Sequence, residues 1–463
     1  MLTLADAILE EDLKSVQQLL RYGEDVNQID EYGFTPLIEA AIVDNIEISR
    51  LLLNQGANPN QQDVTGGTAL HWAAENNNTN LCELLLDHHA NPNAYNFAGQ
   101  PVIVMPTLRH QSGLRQLLVR RGADQVFAQD YINTKLLGHM FELVGSATIV
   151  DPQNQFVDVD FEGFFLEVTI GLIADSLSQF QNHFAARQLR RYSGLARYIV
   201  EVMQRASELI RYQQYRVDIS KFSSRLDTII HQEPLLIPVG YEGHAITFIR
   251  YEDIWVKCDR REDSRLYDNI MFYRIQHTEK MTVEFVKNLI YKKQTSEFIN
   301  EELDAILGLV PMTELKVEAQ ISGNCSWANV EATIPALFFL ILIQLDKSAE
   351  RSAYYKTLAL NFFNRWREWN KERALHYCIQ SYNEGDVLRK ACKAEILAAV
   401  LFERCNPDNP SDRDRIESIL TLLIKSPYEY LLKNYVRIYY YEGHTEEGKR
   451  FYELLKEYGY ITK

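Results

Sequence analysis

The chain has 463 residues, a formal net charge of -15 and an ordinary globular composition, 46% hydrophobic and 24% charged. This acidic balance, with a pI near 5.3, argues against a phosphate-binding surface spread over the molecule, so nucleic acid is not expected as its main partner. The longest apolar run, residues 334 to 345, is too short to cross a bilayer and reads as a buried helix, so no membrane span is expected.

Residues 4 to 20 read as helix with acidic residues rather than as a signal peptide, so a cleaved Sec leader is not expected. Six cysteines, at 82, 258, 325, 378, 392 and 405, form no CxxC pair and no Cys/His metal spacing. They fit a reducing compartment and point to neither a metal nor another cofactor.

The first 130 residues are repetitive. Thr35-Pro36-Leu37-Ile38-Glu39-Ala40-Ala41 recurs 33 positions on as Thr68-Ala69-Leu70-His71-Trp72-Ala73-Ala74. Leu51-Leu52-Leu53 with Gly56-Ala57-Asn58-Pro59-Asn60 recurs at the same offset as Leu84-Leu85-Leu86 with His89-Ala90-Asn91-Pro92-Asn93. The heptad resembles the T-P-L-H-x-A signature of ankyrin repeats, and the period is theirs. The register extends back to Gly23 and Asn27 and forward to Pro101 and Gly122, which gives four repeats, about 1–30, 31–63, 64–96 and 97–130. One repeat cannot bury its own apolar face, so the four are expected to stack. Their turns would then form a comb that holds another protein, with Val64, Thr65, Tyr95, Asn96 and Phe97 as contact residues and Tyr95 and Phe97 as its anchors.

Residues 134 to 214 read as mostly helical, apolar at helix spacing from 161 to 180 and amphipathic from 187 to 212. The basic cluster Arg187, Arg190, Arg191 and Arg197 reads as a solvated helix face. Strand-like sequence follows at 234 to 240, 243 to 251 and 254 to 259, the last two reading as a hairpin; residues 270 to 275 and 282 to 290 extend or cover the sheet. A turn centred between Tyr251 and Glu252 would set His244 directly opposite Asp259, so that a carboxylate orients an imidazole. Downstream, Gln320-Ile321-Ser322-Gly323-Asn324-Cys325 places a thiol at the start of a long helical pattern. A helix N-terminus favours the thiolate, Gly323 would let the backbone approach a carbonyl, and Gln320 could donate to a developing oxyanion.

His, then Asp about 15 residues later, then Gln shortly before a helix-capping Cys, resembles the clan of cysteine proteases that includes the ubiquitin-like-protein proteases. The resemblance implies His244 as base, Asp259 as its orienter, Gln320 in the oxyanion hole and Cys325 as nucleophile. Papain's order, Cys before His, is excluded. His244 is followed here by Ala rather than the clan's usual Trp, and Gln320 sits one residue nearer the Cys than is common.

From residue 354 the chain reads as helical scaffolding, with a Pro-rich break at 406 to 411 and a dense set of tyrosines from Tyr428 to Tyr441 that reads as core. The expected architecture is multidomain. An all-α ankyrin solenoid (1–130) and a helical connector (131–230) precede an α+β papain-like or ubiquitin-like-protease-type core (231–345), and a helical region closes the chain (346–463). Ankyrin repeats fused to such a domain resemble the type IV secreted bacterial ankyrin effectors. That resemblance implies a monomer delivered into a host cell, in cytosol or nucleus, that binds a host protein through its repeats and acts on it through Cys325. Two alternatives stay open: a non-catalytic interaction module with a degenerate protease fold, and an acetyltransferase of the same clan using acetyl-CoA and an inositol phosphate. The latter lacks a strong basic cluster in residues 235 to 345.

Overall fold

The computed structural model describes residues 3–212, 219–260, 269–321, 324–346 and 349–461. Gly323, expected to approach a substrate carbonyl, and Gln214, the end of the expected helical segment, lie outside the described residues. Two compact units result: Met1–Phe161 with Arg373–Lys463, and Glu162–Glu372.

The first unit opens with four helix pairs. These are α1 (Leu4–Leu9) with α2 (Leu13–Arg21), α3 (Pro36–Ile42) with α4 (Ile46–Asn54), α5 (Ala69–Glu75) with α6 (Thr79–Asp87), and α7 (Val104–Leu108) with α8 (Ser112–Arg120). The hinge inside each pair is a left-handed residue, Glu11, Asp44, Asn77 or His110, at 33-residue intervals. The turn out of each pair is left-handed too, at Gly23, Gly56, His89 and Gly122. Three of these four are glycine because a Cβ strains that conformation. Thr35 caps α3 by accepting from the Ile38 N–H at 3.2 Å. At α5 the Thr68 N–H donates to His71 Nδ1 at 3.1 Å while Nε2 meets the Gln100 carbonyl at 3.3 Å. Burial holds His71 neutral, its pKa lowered to about 4.

An asparagine ladder locks successive repeats. Asn60 Oδ1 accepts from the Asn91 N–H at 2.7 Å and its Nδ2 donates to the His89 carbonyl at 3.0 Å. Asn27 and Asn93, 33 residues to either side, make the same two bonds one repeat away. The array passes into α9 (Gln125–Met140), capped by Asp124, and then into a hairpin, β1 (Ser146–Val150) with β2 (Phe156–Asp160). The sequence reading expected helix here. The alternation of buried Val157 and Val159 with Asp158 and Asp160 is the period-two signal that it passed over. A Cβ on Gly99 would lie 2.3 Å from the Asp158 carbonyl oxygen, so the hairpin packs against the ankyrin turns.

The second unit begins with α10 (Leu166–Asn182) and α11 (Ser193–Arg211), joined by a 3-10 segment, Phe184–Tyr192, and followed by α12 (Ser223–Ile230). An antiparallel sheet then runs β3 (Leu235–Tyr241), β4 (His244–Tyr251), β5 (Ile254–Cys258), β6 (Ile270–Ile275) and β7 (Leu309–Leu315), in that spatial order. Residues 270 to 275 therefore extend the sheet, whereas 282 to 290 fall in α13 (Val283–Tyr291), a helix against β3. After α14 (Leu303–Leu307) and β7 come α15 (Cys325–Glu331), α16 (Thr333–Asp346) and α17 (Ser352–Glu384), whose residues from Arg373 on count with the first unit. The stretch from Cys325 to Asp346 is long and apolar enough to cross a membrane by length and composition, yet 78% of its apolar 18-residue window is buried inside the protein. It serves as the core helix, with Phe339 edge-on to Phe272 of β6 at 5.2 Å.

The chain then completes the first unit with α18 (Val387–Arg404), α19 (Pro410–Leu423), α20 (Glu429–Tyr435) and α21 (Glu446–Glu457). α18 lies against β1, and its buried Lys393 sits 2.5 Å from Asp130 and 2.8 Å from Thr134 Oγ1 of α9. Phe402 collects Tyr435, Tyr439 and Phe451 at ring distances of 4.5, 4.6 and 5.3 Å. The tyrosine set was expected as core, but none of it is buried: Tyr428, Tyr435 and Tyr440 are half-buried, and Tyr430, Tyr439 and Tyr441 are exposed, packing as a rim on the buried Phe402 and Phe451.

Candidate active site

His244 is the first residue of β4, and Asp259 follows the last residue of β5. The hairpin pairs Tyr251 with Ile254 and Thr247 with Cys258, so its turn centres between Glu252 and Asp253, one position later than expected. That moves the register by two residues, and His244 and Asp259 are diagonal rather than directly opposite. A shift of two keeps both side chains on one face and within reach, where a shift of one would have separated them. His244 Nε2 stands 3.2 Å from Asp259 Oδ1, and both side chains are largely buried.

α15 packs against β4, which brings its first residue, Cys325, to His244. The His244 ring and the Cys325 thiol are hydrogen-bonded side chain to side chain. Burial alone would lower the pKa of His244, but its hydrogen bonds with Asp259 and Cys325 raise it to about 9. Burial likewise opposes the Cys325 thiolate. The bond to His244, the backbone N–H of Ala245, the imidazolium charge and the Ser326 N–H outweigh it and hold the thiol below its usual value. The helix start thus contributes less than the imidazole. Cys325 is half-buried, and the other five cysteines are buried. Burial pushes Cys82 and Cys378 up to about 12 and Cys392 to about 11, and drives Cys258 up as well.

Gln320 lies in the loop after β7. Its backbone N–H donates to the Arg260 carbonyl at 2.8 Å, and its side-chain Oε1 is buried without a hydrogen-bond partner. The short segment just before α10 also reaches this region, since a Cβ on Gly163 would lie 1.7 Å from Ser326 Oγ. Sequence reasoning missed Asn329, Arg260 and Glu331, which surround the set. The one available signal was the four-residue spacing from Cys325 to Asn329, which puts both on one face of a helix.

In the ankyrin turns, Val64 and Phe97 are exposed. Thr65 and Asn96 shape the turns: the Thr65 carbonyl accepts from the Phe97 N–H at 2.9 Å, and Asn96 Oδ1 accepts from the Ala98 and Gln100 N–H groups. Tyr95 is half-buried, edge-on to Phe127 of α9 at 5.9 Å. Phe97 is therefore the freer of the two expected anchors. Arg187, Arg190, Arg191 and Arg197 are exposed, with the Arg187 guanidinium over the Phe184 ring at 4.2 Å. Among the described residues no group of three or more His, Cys, Asp or Glu side chains could hold a metal ion.

The stacked pairs with their 33-residue period define an ankyrin-repeat protein, and the family profile described as Ankyrin repeats (3 copies) matches residues 4–96. No curated protein sequence matches. Among solved structures, that of the Legionella effector AnkH is 37% identical to this chain, with a TM-score of 0.87, covering 100% of this chain and 98% of that one. The chain belongs to the AnkH family of ankyrin-repeat effectors.

Proposed function

We propose that this effector is a cysteine peptidase with a protein-docking array. Delivered into a host cell through a type IV secretion route, it would hold a host protein on its ankyrin turns and act on it, in cytosol or nucleus, through Cys325. The observation that carries this reading is the pairing of a half-buried, depressed-pKa thiol with an imidazole raised to about 9 and backed by a carboxylate. The core would span 231–345, with 131–230 as connector and 346–463 as helical scaffold.

In the reaction, the Cys325 thiolate attacks the scissile carbonyl carbon, and the π electrons move to oxygen, where the Gln320 amide would donate. Collapse of the adduct expels the amine with the His244 proton and leaves a thioester. His244, now neutral, deprotonates the water that hydrolyses it. Asp259 is a positioning residue that keeps the ring aimed and supports its positive charge.

The test is a panel of ubiquitin and ubiquitin-like proteins carrying C-terminal electrophiles, together with peptide electrophiles. Adduct formation at Cys325 with at least one, absent in Cys325→Ala and strongly slowed in His244→Ala, supports the reading. Failure to label Cys325 in the folded protein with any of them sinks it.

A further inference from the structure

The three residues of the proposed catalytic set arrive on three separate elements, and a single buried amide on the helix that carries Cys325 bonds the backbone beside the other two. Asn329 is fully buried and lies one helical turn after Cys325 on α15. Its Oδ1 accepts from the N–H of Arg260, the residue after Asp259, at 2.7 Å. Its Nδ2 donates to the carbonyl of Ala245, the residue after His244, at 2.5 Å. The partners fix the orientation of the amide, because an N–H only donates and a carbonyl only accepts. Ala245 is held twice, since its N–H also bonds to Cys325.

The brace extends through Arg260. Its carbonyl takes the Gln320 N–H at 2.8 Å, its Nε donates to the Glu318 carbonyl at 2.7 Å, and its guanidinium meets Glu331 of α15 at 2.5 Å. Arg260 is fully buried, and Arg367 of α17 holds the same Glu331 oxygen from another side at 3.3 Å. Every element that contributes a residue to the set is thus tied to Asn329 or to Arg260, the residue it holds.

We propose that Asn329 is a positioning residue that sets the distance and angle between Cys325, His244 and Asp259, with the Arg260–Glu331 pair extending the same brace to Gln320. This rests on the reading of those residues as a catalytic set. A nucleophile, a base and an orienter on separate elements are productive only when held within a fraction of an ångström. The sheet pairs β4 with β5 but does not by itself hold the helix that carries Cys325. Asn329 ties both to the helix that carries the thiol.

The experiment is the pH profile of Cys325 alkylation by iodoacetamide, read by mass spectrometry in the full chain. It compares the parent, Asn329→Leu, which removes both bonds without adding charge, and Asn370→Leu. Asn370 is a buried amide of the same unit that accepts from Ser176 Oγ at 2.6 Å. The expected result is a midpoint moved up by about one pH unit toward the free-thiol value in Asn329→Leu, comparable to the loss of one oriented hydrogen bond. Asn370→Leu lowers stability with no change of midpoint. Should Asn329→Leu not fold, Asn329→Ser, small enough to admit a water between the two backbone groups, carries the same reading. A depressed midpoint in the parent that the Asn329 variants leave unchanged overturns the inference alone. A parent midpoint at the free-thiol value overturns the catalytic reading beneath it.

Discussion

Substituting Gly163 by alanine would set a methyl carbon 1.7 Å from Ser326 Oγ and 2.9 Å from Ser326 Cβ. The hydroxyl can rotate away, which removes the shorter contact. The second cannot be relieved by rotation, so the first turn of α15 or the loop at 163 must move by a few tenths of an ångström. Overpacking of this kind costs about 1–3 kcal/mol, and here the strain falls beside Cys325. Four of the five tryptophans (255, 327, 366 and 369) belong to Glu162–Glu372, so urea unfolding followed by tryptophan fluorescence reports mainly on this unit. Gly163→Ala is expected to lower the midpoint and slow alkylation of Cys325. Ser326→Gly removes both clashing atoms, so the double variant should recover part of the loss, with a coupling of about 1 kcal/mol or more. An unchanged midpoint in Gly163→Ala, or strict additivity in the double variant, would refute the contact.

Three further outcomes follow from the first unit. His89 occupies the left-handed turn that glycine fills at 23, 56 and 122, so His89→Gly should stabilise that unit by roughly 0.5–1 kcal/mol, read as a higher thermal midpoint. Because His71 is held near pKa 4 when folded against 6.5 when unfolded, the unfolded chain binds more protons between those values. Stability should therefore be full above pH 6.5 and fall as pH drops toward 4, by on the order of 3 kcal/mol, with a flatter dependence in His71→Gln. Lys393→Met strands Asp130 in the interior and should cost roughly 3–5 kcal/mol by urea unfolding, whereas adding Asp130→Leu should restore most of it; equal stability of parent and Lys393→Met would contradict a buried ion pair.

The ankyrin array was legible because its period repeats its own landmarks. The two left-handed positions and the asparagine ladder recur every 33 residues, so any one repeat reports on the others. The β4–β5 hairpin was legible as two runs of apolar, β-branched and aromatic residues, but its register was not, since Tyr251-Glu252-Asp253-Ile254 accommodates a turn at either of two places. The two differ by an even number of residues, so the shared face of His244 and Asp259 survived the difference. The hairpin at Ser146–Asp160 was hidden by its brevity between two strongly helical stretches. Asn329 offered only its four-residue spacing from Cys325, and Arg260 offered no local pattern at all. Their roles arise from partners 84 and 69 positions away along the chain, which only the folded sheet brings to α15.

The central claim, that Cys325 and His244 form a working pair, is tested most directly by the rate of Cys325 modification across pH in the parent and in His244→Ala. The account predicts rapid, selective alkylation of Cys325 well below the free-thiol pKa of about 8.5, with the five buried cysteines slow and the advantage lost in His244→Ala. Modification of Cys325 no faster than that of the buried thiols, or indifferent to His244, would contradict it.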